Sequence, residues 1–351
     1  MTPSREQLSF VGADVREPAP GADDRDPAMP HRKETVKQRR VSSVLPATVI
    51  SLLLLVSAAC TTAPKAETAA DAPVITQGAG SAGLLALPLD AYELPDEDYL
   101  QVQRATMHSL RDCMASFGLT LSVPEVSASR YPRHATALGW LGAHEVERYG
   151  YRGPANFADD MAAAARRGSR PIVVPEDQIA VFEGSVPRFR GETVPEGGCD
   201  GKTRRTLNGG EVSIPIDGLD STVPPERWLH VLGAQAGDRA RSDARFSSTV
   251  RSWSECMRDR GFRYQNPDQA MSDPRWSTGE DGAGQSPSRD EIETAVADRD
   301  CRDRANFSGV AKFLMAQYEN EMINSQGHRI REVSDLLKTR AMNSSRILSA
   351  R

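Results

Sequence analysis

Neither sign of charge dominates this sequence, and only one run of it is apolar enough to enter a bilayer. Lysine and arginine total 43 against 48 aspartate and glutamate, a net charge of −5 over 351 residues. A large basic face for nucleic acid is therefore not expected. A mean hydropathy of −0.48 excludes a multi-span membrane protein. Cysteine is scarce, at five residues, and no CxxC pair occurs. A thioredoxin-like redox motif and a zinc ribbon both lack their spacing. GxSxG and HExxH are missing too, which removes the nucleophile elbow and the zincin helix. His31 lies in a basic segment; His108, His134, His144, His230 and His328 are isolated, never at HxxxH spacing. No metal and no cofactor are expected from them.

Two phosphate-site look-alikes fail on context. Gly78-Ala-Gly-Ser-Ala-Gly83 matches GxGxxG but sits in an Ala/Gly-rich stretch without a strand before it. Gly197-Gly-Cys-Asp-Gly-Lys-Thr203 places Glu196 where a P-loop needs its first glycine.

The apolar run, residues 44–59, is uncharged and centred on Leu52 to Leu55, and Arg32, Lys33, Lys37, Arg39 and Arg40 precede it. A basic region, a short apolar region and small residues at the end define a secretory signal. The run falls short of the roughly 20 residues that span a bilayer comfortably. Ser57, Ala58 and Ala59 lead into Cys60, which resembles a bacterial lipobox, with Ser57 where Leu is usual. Residues 29–59 are therefore expected to be a signal peptide, with Cys60 lipidated and residues 60–94 a flexible tether. An uncleaved signal anchor and a cleaved, unlipidated secreted chain are the alternatives. Residues 1–28, rich in Pro, Asp and Glu, are expected to be a disordered leader or to precede a true start at Met29.

Four further cysteines, Cys113, Cys199, Cys256 and Cys301, read as two disulfides in an exported chain, with three connectivities open. An internal repeat favours one of them. Leu110-Arg-Asp-Cys113-Met-Ala-Ser-Phe-Gly118-Leu119 and Trp253-Ser-Glu-Cys256-Met-Arg-Asp-Arg-Gly261-Phe262 share the pattern apolar-x-acidic-Cys-Met-x-x-x-Gly-apolar. Each ends an amphipathic helical pattern, and each glycine suits the left-handed residue that closes a helix. One bridge per half, Cys113–Cys199 and Cys256–Cys301, is the economical pairing, each bridge pinning a loop to a helix.

Helices are expected at 95–117, 135–149, 157–167, 175–184, 225–232 and 243–260, with a short strand at 211–216. Residues 188–198 are expected to be a turn-rich loop and 266–287 a mobile one. Ser288-Arg-Asp-Glu291 is a capping box, after which a helical pattern runs to the C-terminus with Gly309 and Gly327 as points of kinking. The fold class is thus mostly α: two disulfide-stapled helical halves, 95–235 and 236–351, a long C-terminal helix and little strand.

The stretches Arg148-Tyr-Gly-Tyr151, Val181-Phe-Glu-Gly184, Phe189-Arg-Gly191 and Val194-Pro-Glu-Gly-Gly-Cys199 carry a resemblance. So do Trp253-Ser-Glu-Cys-Met257, Gly261-Phe-Arg-Tyr264, Pro267, Trp276, Ala297-Asp-Arg-Asp-Cys-Arg302 and Glu319. The chain resembles a family of uncharacterised secreted or lipid-anchored actinobacterial proteins, departing at Arg302, where Lys is expected. The resemblance implies export and two bridges, and no catalytic residue.

Two surface features remain. The run Asp298, Asp300, Asp303 with Arg299, Arg302, Arg304 reads as a solvated helix face with i,i+4 pairs, as do Glu145 and Glu147. Trp140, Tyr149 and Tyr151 either pack in the core or line a groove for a glycan or peptide. The expectation is a lipid-anchored, non-enzymatic binding or interaction module of the cell envelope. Its partners would be the membrane and an envelope protein such as a transporter or sensor. A hydrolase of cell-wall polymer is the alternative, and it would need two carboxylates or a metal in a cleft.

Overall fold

A computed structural model of the protein describes residues 69–217, 221–276 and 286–350. Cys60 and the segments 1–28 and 29–59 lie outside these residues. The described chain is mostly helical. In order it runs α1 (Asp96–Ser116), α2 (Val146–Tyr149), α3 (Phe157–Ala165), α4 (Glu176–Glu183), α5 (Gly198–Asn208), α6 (Pro225–Ser242), α7 (Ala244–Asp259), α8 (Pro267–Met271), α9 (Arg289–Arg304) and α10 (Phe307–Ser349). Two antiparallel pairs supply the strand. β1 (Arg188–Phe189) meets β2 (Glu192–Thr193), with Arg188 opposite Thr193. β3 (Ile214–Pro215) meets β4 (Thr222–Val223), with Ile214 opposite Val223.

The sequence repeat is a structural repeat. α1 and α7 end alike: Leu119 N–H donates to Met114 O and Gly118 N–H to Ala115 O, while Phe262 N–H donates to Met257 O and Gly261 N–H to Arg258 O. These are the paired bonds of a Schellman cap, and Gly118 and Gly261 take the positive φ it requires, 68° and 90°. Each helix carries its cysteine to the core one turn before the cap. Cys113 bonds Cys199 and Cys256 bonds Cys301. Both partners are helical: Cys199 opens α5 and Cys301 lies near the end of α9. Each bridge therefore joins two helices rather than a loop to a helix.

The apolar side chains gather in four clusters. One surrounds the first bridge, with Leu110, Met114, Phe117, Val181 and Phe182. Another surrounds the second, with Trp253, Met257, Trp276 and Ala295, and takes Val146 and Tyr151 from the first half of the sequence. The other two are strung along α10. Val310, Leu314 and Met315 pack with Leu138, Trp140 and Phe157. Met322, Ile330, Val333 and Leu337 pack with Trp228, Leu232 and Val102. α10 bends within the second stretch, between Met322 and Ile330, at Gln326, whose φ of −117° and ψ of 17° leave the helix, beside Gly327.

Five expectations need correction. The tether expected over 60–94 is, from residue 72 onward, a packed strap. Ile75, Leu85, Leu87 and Leu89 are buried, and Gln77 is held on three sides. Its N–H donates to Asp303 Oδ1 at 2.6 Å, its side-chain amide donates to Ser308 Oγ at 2.8 Å, and its Oε1 accepts from Leu141 N–H at 2.6 Å. Gly309 serves close approach rather than a kink, since a Cβ there would lie 2.0 Å from Pro73 O. The helix expected over 135–149 is a series of turns with only α2 at its end, because Gly139 (φ 63°) and Glu145 (φ 50°) are left-handed. The loop expected over 266–287 begins with α8, whose cap Asn266 accepts from Gln269 N–H, and its Trp276 is buried. The boundary expected at 235/236 falls inside α6, and α10 packs on α1, α5 and α6.

Candidate functional site

Two polar constellations stand out among the described residues, one sealed and one open. The sealed one is built on α9, on the run expected to be a solvated face. That expectation holds for Asp300, which pairs with Arg260 and Arg299 near the surface, and Arg299 also meets Glu147. It fails for Asp298 and Arg302, which are 0% and 2% exposed. The Asp298 carboxylate accepts from Trp253 Nε1 at 2.7 Å, Arg302 Nε at 2.8 Å, Arg302 Nη2 at 3.0 Å and Tyr151 Oη at 3.2 Å. Arg302 Nη1 donates to Gly139 O at 2.7 Å, and its guanidinium lies over the Phe307 ring. Burial, and next the Asp298 charge, hold the Tyr151 hydroxyl far above the usual phenol range.

Beside it the expected capping box is half formed. Ser288 Oγ accepts from Glu291 N–H at 3.1 Å, but the fully buried Glu291 carboxylate turns inward, to Tyr151 N–H at 3.2 Å and Arg152 Nε at 3.1 Å. Trp140 and Tyr151 are buried in separate clusters, and Tyr149 lies under Arg148. The three aromatic residues therefore do not share a groove.

The open constellation lines a cavity of about 470 Å³ between the strap and the loop before α2. A 3-10 turn, Pro88–Tyr92, and the start of α1 form one wall. Residues 128–134 and the end of α3 form the other. Arg133 spans the gap, donating through Nη1 to Asp90 at 3.0 Å and through Nη2 to Glu93 at 2.6 Å. Arg167 holds the other oxygen of Glu93 at 2.9 Å, Leu94 O at 2.6 Å and Asp96 at 2.7 Å, and stacks over Tyr99. His134 Nε2 lies 2.9 and 3.0 Å from the two Asp90 oxygens. Burial pushes the Asp90 carboxyl up, but the His134 hydrogen bond and charge, Leu87 N–H and Arg133 outweigh it and hold it below the usual range. Each of the cleft carboxylates Asp90, Glu93 and Asp96 is thus held by a guanidinium.

His134 is not isolated; its partner lies 44 residues upstream in the expected tether. Asp90 and Glu93 were hidden for the same reason. The signal that marks them is local: Leu85, Leu87 and Leu89 alternate just after the Ala/Gly-rich stretch ends. Behind the 3-10 turn sits Glu319 of α10, 2% exposed, whose Oε2 accepts from Leu89 N–H at 2.9 Å. Among the described residues no group of three or more His, Cys, Asp or Glu side chains is placed to hold a metal ion, and no helix is long and apolar enough to cross a membrane.

Two buried groups give a testable pH profile. Burial, helped by the Asp90 charge, lifts Glu319 to about 7. Burial, helped by Arg302, lowers His144 to about 4, and its ring packs edge-on against Phe157. The Glu319 contribution is full below its ordinary 4.5 and is lost as pH rises through about 7. The His144 contribution is full above its ordinary 6.5 and is lost as pH falls toward 4. They oppose one another between 4.5 and 6.5. In Glu319→Gln, stability should therefore rise with pH across that window, by up to about 1.4 kcal/mol per pH unit. Urea unfolding at a series of pH values measures it; a profile identical to the parent would mean that Glu319 titrates as in water.

Compared with known proteins, the chain matches no family model, no curated protein and no solved structure.

Proposed function

We propose that the protein is exported, is held to the outer face of the cytoplasmic membrane by lipid on Cys60, and works there as a non-enzymatic binding module. The two buried disulfides carry the proposal, because such bridges form and persist in oxidising compartments. The basic and apolar segments before Cys60 and the resemblance to lipid-anchored actinobacterial proteins support the same address. The cleft supports binding: its charged side chains are fixed by one another over apolar walls, the composition of a ligand pocket. An accessory role beside an envelope transporter or sensor fits this address.

Mass spectrometry of the mature N-terminus tests the anchor. A diacylglyceryl-modified Cys60 is expected, together with loss of the protein from the membrane fraction in Cys60→Ala. Recovery of an intact Ala59–Cys60 bond in the mature chain would replace the lipid by a signal anchor.

A further inference from the structure

In the cavity lined by Asp90, Glu93, Arg133, His134 and Arg167, fixed polar groups meet open space beside apolar side chains. Its volume of about 470 Å³ lies within the roughly 300–1,000 Å³ of small-molecule sites. Leu85, Leu94, Leu100 and Pro132 supply apolar wall.

The charges of the site decide what it takes. Asp90, Glu93 and Asp96 stand against Arg133, Arg167 and His134, each bonded to a neighbour of opposite sign or to the His134 ring. An anion entering the cleft would meet the three carboxylates, and a cation would meet the two guanidinium groups. Either would be opposed by the like charge beside any group it paired with. A ligand that is uncharged, yet both donates and accepts, meets no such opposition. Carboxylate oxygens accept more than one hydrogen bond, and a guanidinium carries five N–H donors. Arg133 stays 23% exposed beside the cavity while bonded through Nη1 and Nη2. The planar groups are already ordered by their mutual bonds, so a ligand does not have to freeze them. Hydroxyl groups on a compact, partly apolar ring have the matching chemistry.

We propose that this cleft is a carbohydrate site for a neutral sugar of mono- to disaccharide size, the geometry resting on an array of mutually paired carboxylates and guanidinium groups beside apolar side chains. The proposal rests on the binding half of the function proposed above and is independent of the lipid on Cys60.

Isothermal titration calorimetry of the detergent-solubilised full chain tests it, with maltose, cellobiose and N,N′-diacetylchitobiose as probes and glucose 6-phosphate and lysine as charged controls. Saturable binding of at least one neutral disaccharide is expected, exceeding that of both controls. Ala86 and Ala128 are exposed residues lining the cleft from separate segments. Ala86→Trp or Ala128→Trp should weaken binding by at least about tenfold by filling the cavity, with the unfolding transition unchanged. No binding of any of the three sugars, tighter binding of a charged control, or binding untouched by both tryptophan variants would overturn the proposal. Release of Cys60→Ala from the membrane is read separately, so failure of the sugar site and failure of the anchor are told apart.

Discussion

Replacing Asp298 by alanine is expected to destabilise the protein by about 3–5 kcal/mol, the loss seen when one partner of a buried ion pair is removed. The effect is large because the carboxylate satisfies three side chains at once: Arg302, Trp253 and Tyr151. Arg302, at 2% exposure, would keep its charge with only Gly139 O and the Met271 sulfur as acceptors. The double variant Asp298→Ala with Arg302→Met should recover part of the loss, since it removes the stranded charge as well. Arg302→Lys should lie between, because an ammonium cannot serve both Asp298 and Gly139 in the fork geometry of a guanidinium. Urea unfolding of the four proteins measures these steps. A loss below about 1 kcal/mol for Asp298→Ala would show Arg302 to be solvated rather than sealed.

The second large effect is expected from the bridges. Cys113–Cys199 closes 86 residues and Cys256–Cys301 closes 45. Chain entropy then assigns about 4.6 and about 4.0 kcal/mol to them at 25 °C. Paired alanine substitutions should therefore each lower stability by about 4–5 kcal/mol, with the longer loop losing slightly more. Cys199 and Cys301 are fully buried, so a mild reductant should leave the folded protein intact and act quickly only once urea has opened it. Thiol labelling with and without urea distinguishes the cases. Non-reducing peptide mapping should recover Cys113 with Cys199; a Cys113–Cys256 peptide would contradict the pairing.

The parts of the fold that were legible in sequence are those set by local pattern. α1 and α7 follow from apolar spacing of three and four and a closing glycine, and the bridges follow from the repeat those helices form. Elsewhere tertiary contacts overrode local preference. α5 carries Gly198 and Gly201, poor helix formers, yet it is helical because a disulfide and the packing of α1, α4 and α10 hold it. Residues 135–149 have helical composition but turn instead, placing Gly139 O against Arg302 and Trp140 Nε1 against Thr76 O. The cleft was the least legible part. Each of its pairs joins residues some 40 to 74 positions apart, and no periodicity records such a contact. Arg302 and Asp298 looked like an exposed i,i+4 pair because charge alone cannot tell which face of a helix is covered.

The strap has a consequence for the order in which the protein assembles. It is the earliest described part of the chain to be synthesised, yet Ile75, Gln77 and Leu89 bond to Asn306, Asp303, Ser308 and Glu319, partners 226 to 231 residues later. Until those residues emerge, Ile75, Leu85, Leu87 and Leu89 have no α10 to lie against. Contacts of such long separation close late and slowly. A truncation that removes α10 would thus leave the beginning of the body unfinished along with its end, and its greasy residues would stay open to aggregation or proteolysis.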